Sequence, residues 1–487
     1  MSTFEPVAFG TDGLRGRAGE PPMEPESLRR VGAALGVLLQ REGDGSQRRV
    51  LIGNDGRESA SWILDCLVQG LMGAEVSAHD VGLVMTPALA LLAKHEPYSA
   101  GIMISASHNP AHDNGIKIFA GDGKKLSDED ESELSLLANE LRPKAPGEPR
   151  IKSVANLTLR YEEILGERFP NLDLTGKKIC IDAANGGGAV IGPRLLRTFG
   201  AEVVEVGCES DGFNINEGVG ALHPENLCKV VLEHGASFGI CFDGDGDRGI
   251  FVDEKGQVQD GDAVLTLFGA RMLAAGTLPK NTVAATVMSN LGMHHALRAA
   301  GVSVHTTPVG DRHVVQAMRE HGFALGGEQS GHTLFTDHEL IGDGLYTGLR
   351  ILSEVGDQAM SEAFAAFHRF PQKLINVAVC DKPDLSTIPV IAQKQQEIDE
   401  LLGEKPQASA SPAGRSHIDH PPVHGGGRGR ESHLEGSGKG ELVVVGPPIG
   451  QGSAEPKWRV MVEAHERELC ERLCDELAAL IRAELGA

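Results

Sequence analysis

Short apolar runs alternate with longer stretches of helical periodicity along most of the chain, the sequence form of repeating α/β units. Leu28, Val31, Leu35, Leu38 and Leu39 recur at intervals of three and four, which predicts a helix with one buried face. The run Arg49-Val50-Leu51-Ile52-Gly53 predicts a strand closed by the polar turn Asn54-Asp55-Gly56-Arg57. Three more strands are predicted at Gly101-Ile102-Met103-Ile104, Lys177-Lys178-Ile179-Cys180-Ile181 and Phe238-Gly239-Ile240-Cys241-Phe242. Each runs into a loop dense in reactive side chains: Ser105-Ala106-Ser107-His108-Asn109-Pro110, Asp182-Ala183-Ala184-Asn185, and an aspartate cluster that starts at Asp243. Ligands of open α/β sheets collect at the carboxyl ends of strands, so these loops are the first candidates for a site. Late in the chain, Leu469, Leu473, Leu477, Leu480 and Ile481 predict an amphipathic helix.

Two segments break the alternation. Residues 143–149 are proline-rich and charged and read as an exposed connection. Residues 405–440 are rich in Gly, Ser, Pro and His with almost no apolar periodicity, a composition that cannot bury a core and reads as a flexible insertion. His417, His420, His424 and His433 belong to that low-complexity tract, which speaks against a transition-metal site.

Composition narrows the classes. A chain of 487 residues has room for about three domains of ordinary size. Hydrophobic residues make up 41% and aromatics only 4%, so the cores are expected to be aliphatic. The formal charge of −23 argues against nucleic acid and against an anionic membrane surface as partners. It leaves room for an anionic small substrate held by local arginines or helix N-termini. No apolar run is long enough for a transmembrane helix, and the first residues lack the basic and apolar regions of a secretory signal, so a cytoplasmic location is expected. The eight cysteines lie singly and suggest reduced thiols; Cys470 and Cys474 have helical spacing but no second ligand pair.

The strongest chemical signal is Asp243-Gly244-Asp245-Gly246-Asp247-Arg248. Carboxylates at alternating positions of a glycine-loosened turn can converge on one hard cation. An EF-hand reading places Asp243, Asp245, Asp247, Ile250 and Glu254 on its loop positions, but its sixth position needs glycine and here holds Arg248 between strand-like flanks. A haloacid-dehalogenase-type aspartate nucleophile needs Thr or Val after the second aspartate pair, which is missing. Magnesium fits better. Ser107 sits in a turn after a strand, where a base or a metal could activate it, and no Gly-x-Ser-x-Gly elbow surrounds it. Gly326-Gly327-Glu328-Gln329-Ser330-Gly331-His332 combines a carboxylate and hydroxyl suited to sugar hydroxyls with an imidazole suited to proton transfer. Asn185-Gly186-Gly187-Gly188 lacks the spacing of a dinucleotide or Walker loop.

Taken together, these segments resemble the α-D-phosphohexomutase superfamily and, within it, the bacterial phosphoglucosamine mutases. The resemblance runs from Phe9-Gly10-Thr11-Asp12-Gly13-Leu14-Arg15-Gly16 through the Ser107 loop and Asn114-Gly115-Ile116-Lys117 to the Asp243 loop. It continues in Val287-Met288-Ser289-Asn290-Leu291-Gly292, Val309-Gly310-Asp311-Arg312 and Gly327-Glu328-Gln329-Ser330-Gly331-His332. Gln329 matches the glucosamine branch, where phosphomannomutases typically carry Met. The resemblance implies an α/β fold of four domains around a central cleft, three related α/β domains and a smaller α+β C-terminal domain, here residues 1–155, 156–257, 258–369 and 370–487.

It implies further that Ser107 is a phosphoserine and that Asp243, Asp245 and Asp247 hold Mg²⁺ against it. Arg15, Lys117 and Arg248 would neutralise the transferring phosphoryl, with His332 as proton acceptor. Glu328 and Ser330 would grip sugar hydroxyls, and Thr11, His108, Asn109 and Arg459 would complete the substrate site. The implied enzyme is an isomerase that interconverts glucosamine 6-phosphate and glucosamine 1-phosphate through a sugar bisphosphate and feeds cell-wall precursor synthesis. Mannose and glucose phosphates are the alternative substrates. The family's closing loop, Arg-x-Ser-Gly-Thr-Glu-Pro, is replaced by Gly450-Gln451-Gly452-Ser453-Ala454-Glu455-Pro456. That departure removes the arginine of the phosphate clamp and admits a further alternative, a phosphosugar-binding relative without turnover.

Overall fold

The helix expected from the first apolar stripe spans Pro25–Arg41, with Leu28, Val31, Leu35 and Leu39 buried on one face. Its start is set by Pro25 in the first turn and by Glu24, whose carboxylate accepts from the backbone N–H groups of Glu26 and Ser27 at 2.7 and 2.8 Å. The helix Ala60–Leu71 packs against it at very short range. A Cβ on Gly32 would lie 2.1 Å from Leu67 O, and one on Gly70 would lie 2.2 Å from Arg29 O, so only glycine permits this approach. The computed structural model describes residues 6–10, 13–41, 48–143, 147–380, 383–402, 440–445 and 457–486.

The chain divides into two compact units. The larger one, Met1–Thr286 with Leu297–Phe367, contains three sheets. The first uses β1 (Leu14–Arg17), β2 (Arg49–Asn54), β3 (Ser77–Leu83), β4 (Ala100–Ile104), β5 (Asp113–Ala120) and β6 (Ile151–Ser153), in the order β1-β5-β4-β2-β3-β6. Strands β4, β2, β3 and β6 run parallel, and β5 is antiparallel to both β1 and β4. The second sheet uses β7 (Lys178–Asp182), β8 (Glu202–Val206), β9 (Phe238–Phe242), β10 (Gly249–Asp253) and β11 (Val258–Gln259), in the order β11-β10-β9-β7-β8. The third uses β12 (Thr282–Thr286), β13 (Ser303–Thr307), β14 (Leu325–Gly327) and β15 (Thr333–Phe335), in the order β13-β12-β14-β15.

Strands β4 and β9 are buried at every position, which is why they read as unbroken apolar runs, whereas the edge strand β8 leaves Glu202 and Glu205 exposed. The sheets therefore show the α/β class expected from the sequence. The smaller unit, Val287–Ala296 with His368–Ala487, is α+β. Its antiparallel sheet has the order β16 (Gln372–Ala378), β18 (Lys457–Ala464), β17 (Gly440–Val445). The helix Arg467–Leu485 covers the sheet with Cys470, Leu473, Cys474, Leu477 and Ile481, so both cysteines are core residues. Buried Glu463 on β18 accepts from Asn290 Nδ2 at 2.7 Å and from Leu291 N at 2.9 Å, which ties residues 287–296 to this unit. Residues 405–439 of the expected insertion, and the Gly450–Pro456 loop, lie outside the described residues. Among the described residues no helix is long and apolar enough to cross a membrane.

Candidate active site

Three strand ends bring the reactive loops of the larger unit together. After β4 the chain turns sharply, with Ser107 at φ +52°, a left-handed conformation uncommon for a residue with a side chain. Ser107 is 2% exposed, and its Oγ donates to Asp243 Oδ2 at 2.6 Å. Asp243, Asp245 and Asp247 follow β9, all buried, and offer oxygens within 4.8 Å of one another. From β5, Lys117 reaches across with its Nζ 2.8 Å from Asp245 Oδ2 and 2.9 Å from Asp247 Oδ2. Thr86, at the start of the helix Thr86–His95, donates its hydroxyl to the same Asp245 oxygen at 2.6 Å.

This crowding decides the electrostatics. Burial pushes the Asp243 carboxyl well above its ordinary range, and neighbouring Asp247 and Asp245 push it further. His108, 3.3 Å from Ser107 Oγ through Nδ1, is pushed down to about 4 by burial and by the positive charge of Arg248 and Arg15, so it is neutral near pH 7. Arg15 lies on β1, paired across from Gly115 on β5, and Arg248 directly follows the aspartate loop. The donor set is all oxygen, and Asp245 Oδ1 is buried without a hydrogen-bond partner. An orphaned buried carboxylate oxygen is costly, and a hard cation would satisfy it.

The loop after β14 supplies the next layer. His332 is buried, with Nδ1 3.9 Å from Asp247 Oδ1 and Nε2 3.7 Å from Asp311 Oδ2. Asp311 also accepts from Lys125 Nζ at 2.6 Å. Glu328 Oε1 accepts from Gly310 N at 3.0 Å, and Ser330 is exposed. Gln329 donates its side-chain amide to buried Asp262 at 3.2 Å. Asn109 donates its side-chain amide to Asp113 Oδ2 at 3.0 Å. Arg459 is an exposed residue of β18 in the smaller unit, and Thr11 lies outside the described residues.

The aspartate loop also has a buttress. Gly344 N donates to Gly246 O at 3.1 Å, and Asp343 caps the helix Gly344–Val355 by accepting from Tyr346 N at 2.9 Å. The second Asp343 oxygen accepts from Tyr161 Oη and from His338 Nε2, both at 2.8 Å. Arg168 donates to His338 Nδ1 at 2.7 Å, which fixes the neutral tautomer with its proton on Nε2.

Several residues of this assembly carry no signal in the sequence. Asp55 and Arg57 read there only as a polar turn, and Thr86 and Asn216 belong to no motif. The Asn185–Gly188 run, discounted as a nucleotide loop, is a packing seam. A Cβ on Gly186 would meet Gly244 O at 2.0 Å and one on Gly187 would meet Val84 O at 2.2 Å.

Comparison with known proteins agrees with this arrangement. Residues 6–144, 161–256 and 260–370 match the sequence profiles of α/β/α domains I, II and III of phosphoglucomutase/phosphomannomutase. The phosphoglucosamine mutase of Lacticaseibacillus casei (strain BL23) is 38% identical over 98% of this chain and 98% of that protein. That of Cereibacter sphaeroides is 40% identical over 97% of this chain and 98% of that protein. Among solved structures, a phosphoglucomutase/phosphomannomutase family protein from Burkholderia thailandensis aligns with a TM-score of 0.70 at 23% identity, covering 99% of this chain and 98% of that one. Aspergillus fumigatus N-acetylphosphoglucosamine mutase, solved with GlcNAc-6P and magnesium, aligns with a TM-score of 0.59 at 16% identity over 98% and 96%. At such identities the two structures speak for the fold, while 38–40% identity along nearly the whole of both chains speaks for the branch: the chain belongs to the phosphoglucosamine mutase family of the phosphohexomutases.

Proposed function

We propose that the protein interconverts glucosamine 6-phosphate and glucosamine 1-phosphate by passing a phosphoryl group through Ser107. The observation that carries this reading is the buried Ser107 hydroxyl, 2.6 Å from Asp243 within a triad of aspartates and beside Lys117. The phosphorylated serine gives its phosphoryl to the free sugar hydroxyl: the Ser107 O–P bond breaks, a new sugar O–P bond forms, and the product is a bisphosphate. His332 would take the hydroxyl proton, a role supported by its position 3.9 Å from Asp247 and 3.7 Å from Asp311. The bisphosphate then returns its other phosphoryl to Ser107, which restores the phosphoserine and releases the isomer.

Asp243, Asp245 and Asp247, with the Ser107 oxygen, would hold Mg²⁺, which would neutralise charge on the phosphoryl group. Arg15, Lys117 and Arg248 add fixed positive charge there, and burial of Ser107 limits hydrolysis of the phosphoserine. Glu328 and Ser330 would serve the sugar hydroxyls, and Thr11, His108 and Asn109 would add further substrate contacts. The four sheets support a division into four domains near residues 155, 257 and 369. The test is a coupled turnover assay on glucosamine 6-phosphate beside intact-mass analysis. One phosphoryl group is expected on the natural chain and none on Ser107→Ala, with turnover abolished. Undiminished turnover in Ser107→Ala would sink the mechanism.

A further inference from the structure

Ser107 needs a left-handed backbone to present its hydroxyl to Asp243, and that conformation is disfavoured for any residue with a Cβ. Something must hold it. The Arg57 side chain, 2% exposed, lies beneath the loop and engages all five of its N–H donors. Nε donates to Asp55 Oδ2 at 2.9 Å. One terminal nitrogen donates to the carbonyls of Pro110 and, at 3.0 Å, Asp113. The other donates to Ser107 O at 3.0 Å and Asn109 O at 2.8 Å. Asp55 closes a ring from the opposite side. Its Oδ2 accepts from Ser105 Oγ at 2.6 Å, and that hydroxyl accepts from Ser107 N at 2.8 Å. Both main-chain polar groups of Ser107 are therefore pinned by one ion pair. A second clamp comes from the loop after β8, where Asn216 Nδ2 donates to the same two carbonyls, Ser107 O at 2.9 Å and Asn109 O at 3.2 Å.

We propose that Arg57 and Asn216 are positioning residues that hold the backbone of the phosphoryl-carrying serine fixed while its side chain gains and loses a dianionic group. This rests on Ser107 being the carrier. The clamps grip carbonyls and an N–H, none of which changes charge in the cycle, so the frame is the same in the free and phosphorylated states. Lysine cannot replace Arg57, because an ammonium has three donors and no planar fork with which to bridge Asp55 and four carbonyls.

The experiment compares the natural enzyme with Asn216→Asp, a near-isosteric change that removes the amide donors, and with Arg57→Ala. Turnover, KM for glucosamine 6-phosphate, Mg²⁺ affinity and thermal midpoint are measured for each. Asn216→Asp is expected to lower kcat about 30-fold, or about 2 kcal/mol at about 1.36 kcal/mol per decade, with KM and Mg²⁺ affinity changed less than about threefold. Arg57→Ala should lose more, and added guanidinium, but not sodium or ammonium, should restore part of its kcat. If Arg57→Ala does not fold, Asn216→Asp decides alone. A kcat within twofold of natural in Asn216→Asp, or a loss explained wholly by KM or metal affinity, overturns the proposal. A natural enzyme with no phosphoryl group on Ser107 overturns the parent reading instead, and the same mass spectra distinguish the two failures.

Discussion

Lys117→Met separates two effects that usually travel together. Lys117 is 2% exposed and neutralises Asp245 and Asp247 through contacts of 2.8 and 2.9 Å. Breaking a buried ion pair by removing one partner costs about 3–5 kcal/mol, because the remaining charge stays uncompensated. Methionine keeps the apolar stem packed, so little of that loss comes from a cavity. With an unfolding entropy of about 2.1 cal/mol/K per residue, or about 1 kcal/mol/K for 487 residues, a loss of ~3 kcal/mol lowers the thermal midpoint of the metal-free protein by about 3 °C. Magnesium should behave in the opposite way. Removing a cation from the edge of the carboxylate cluster also removes its repulsion of the incoming ion, so Mg²⁺ should bind at least about tenfold more tightly. Turnover should still fall more than about 100-fold, for want of fixed positive charge at the phosphoryl group. Calorimetric melting with and without Mg²⁺, isothermal titration and the coupled assay read the three quantities. Weaker or unchanged Mg²⁺ affinity in Lys117→Met would refute the reasoning, since a merely disruptive substitution loosens everything at once.

Tyr161→Phe removes one donor from buried Asp343 and should destabilise the protein by about 1.5–3 kcal/mol in thermal or urea melts. An unchanged midpoint would show that the Tyr161 bond contributes nothing. Gln329→Met breaks the bond to Asp262 and should shift the ratio of kcat/KM toward mannose or glucose phosphates by roughly tenfold, about 1.4 kcal/mol. An unaltered ratio would separate substrate preference from this residue. Burial raises the Asp399 carboxyl to about 6, above its unfolded value, so its folded form favours the proton and stability falls as pH rises through that range. Asp399→Asn should therefore melt higher than the natural protein at pH 8 and no higher at pH 4, and an equal difference at both pH values would exclude the carboxyl as the cause.

Legibility in the sequence followed the range of the interaction. Strands β4 and β9 were readable because burial on both faces forces continuous apolar runs, and the helix Pro25–Arg41 because one buried face forces its periodicity. The Ser107 and Asp243 loops were visible as dense functional types after those strands, although their convergence across 136 residues of sequence belongs to the fold. Arg57 was not legible. Its meaning comes from carbonyls some 50 residues away, and a carbonyl leaves no trace in a residue name. The same holds for Asn216, and for Gly186 and Gly187, whose missing side chains answer to backbone atoms of distant loops. Asn109 adds a local bond of the same kind, its side-chain amide donating to Asp113 four residues on.

The backbone angle of Ser107 also limits which amino acids could do its work. Threonine carries the same hydroxyl and the same phosphate chemistry, yet its branched Cβ crowds the backbone at φ +52°, where even an unbranched side chain is uncommon. For the proposed carrier, the turn thus makes the choice before any phosphate arrives. A library that scans this position for alternative hydroxyl carriers should return serine alone, although threonine serves as a phosphate acceptor wherever a backbone is extended.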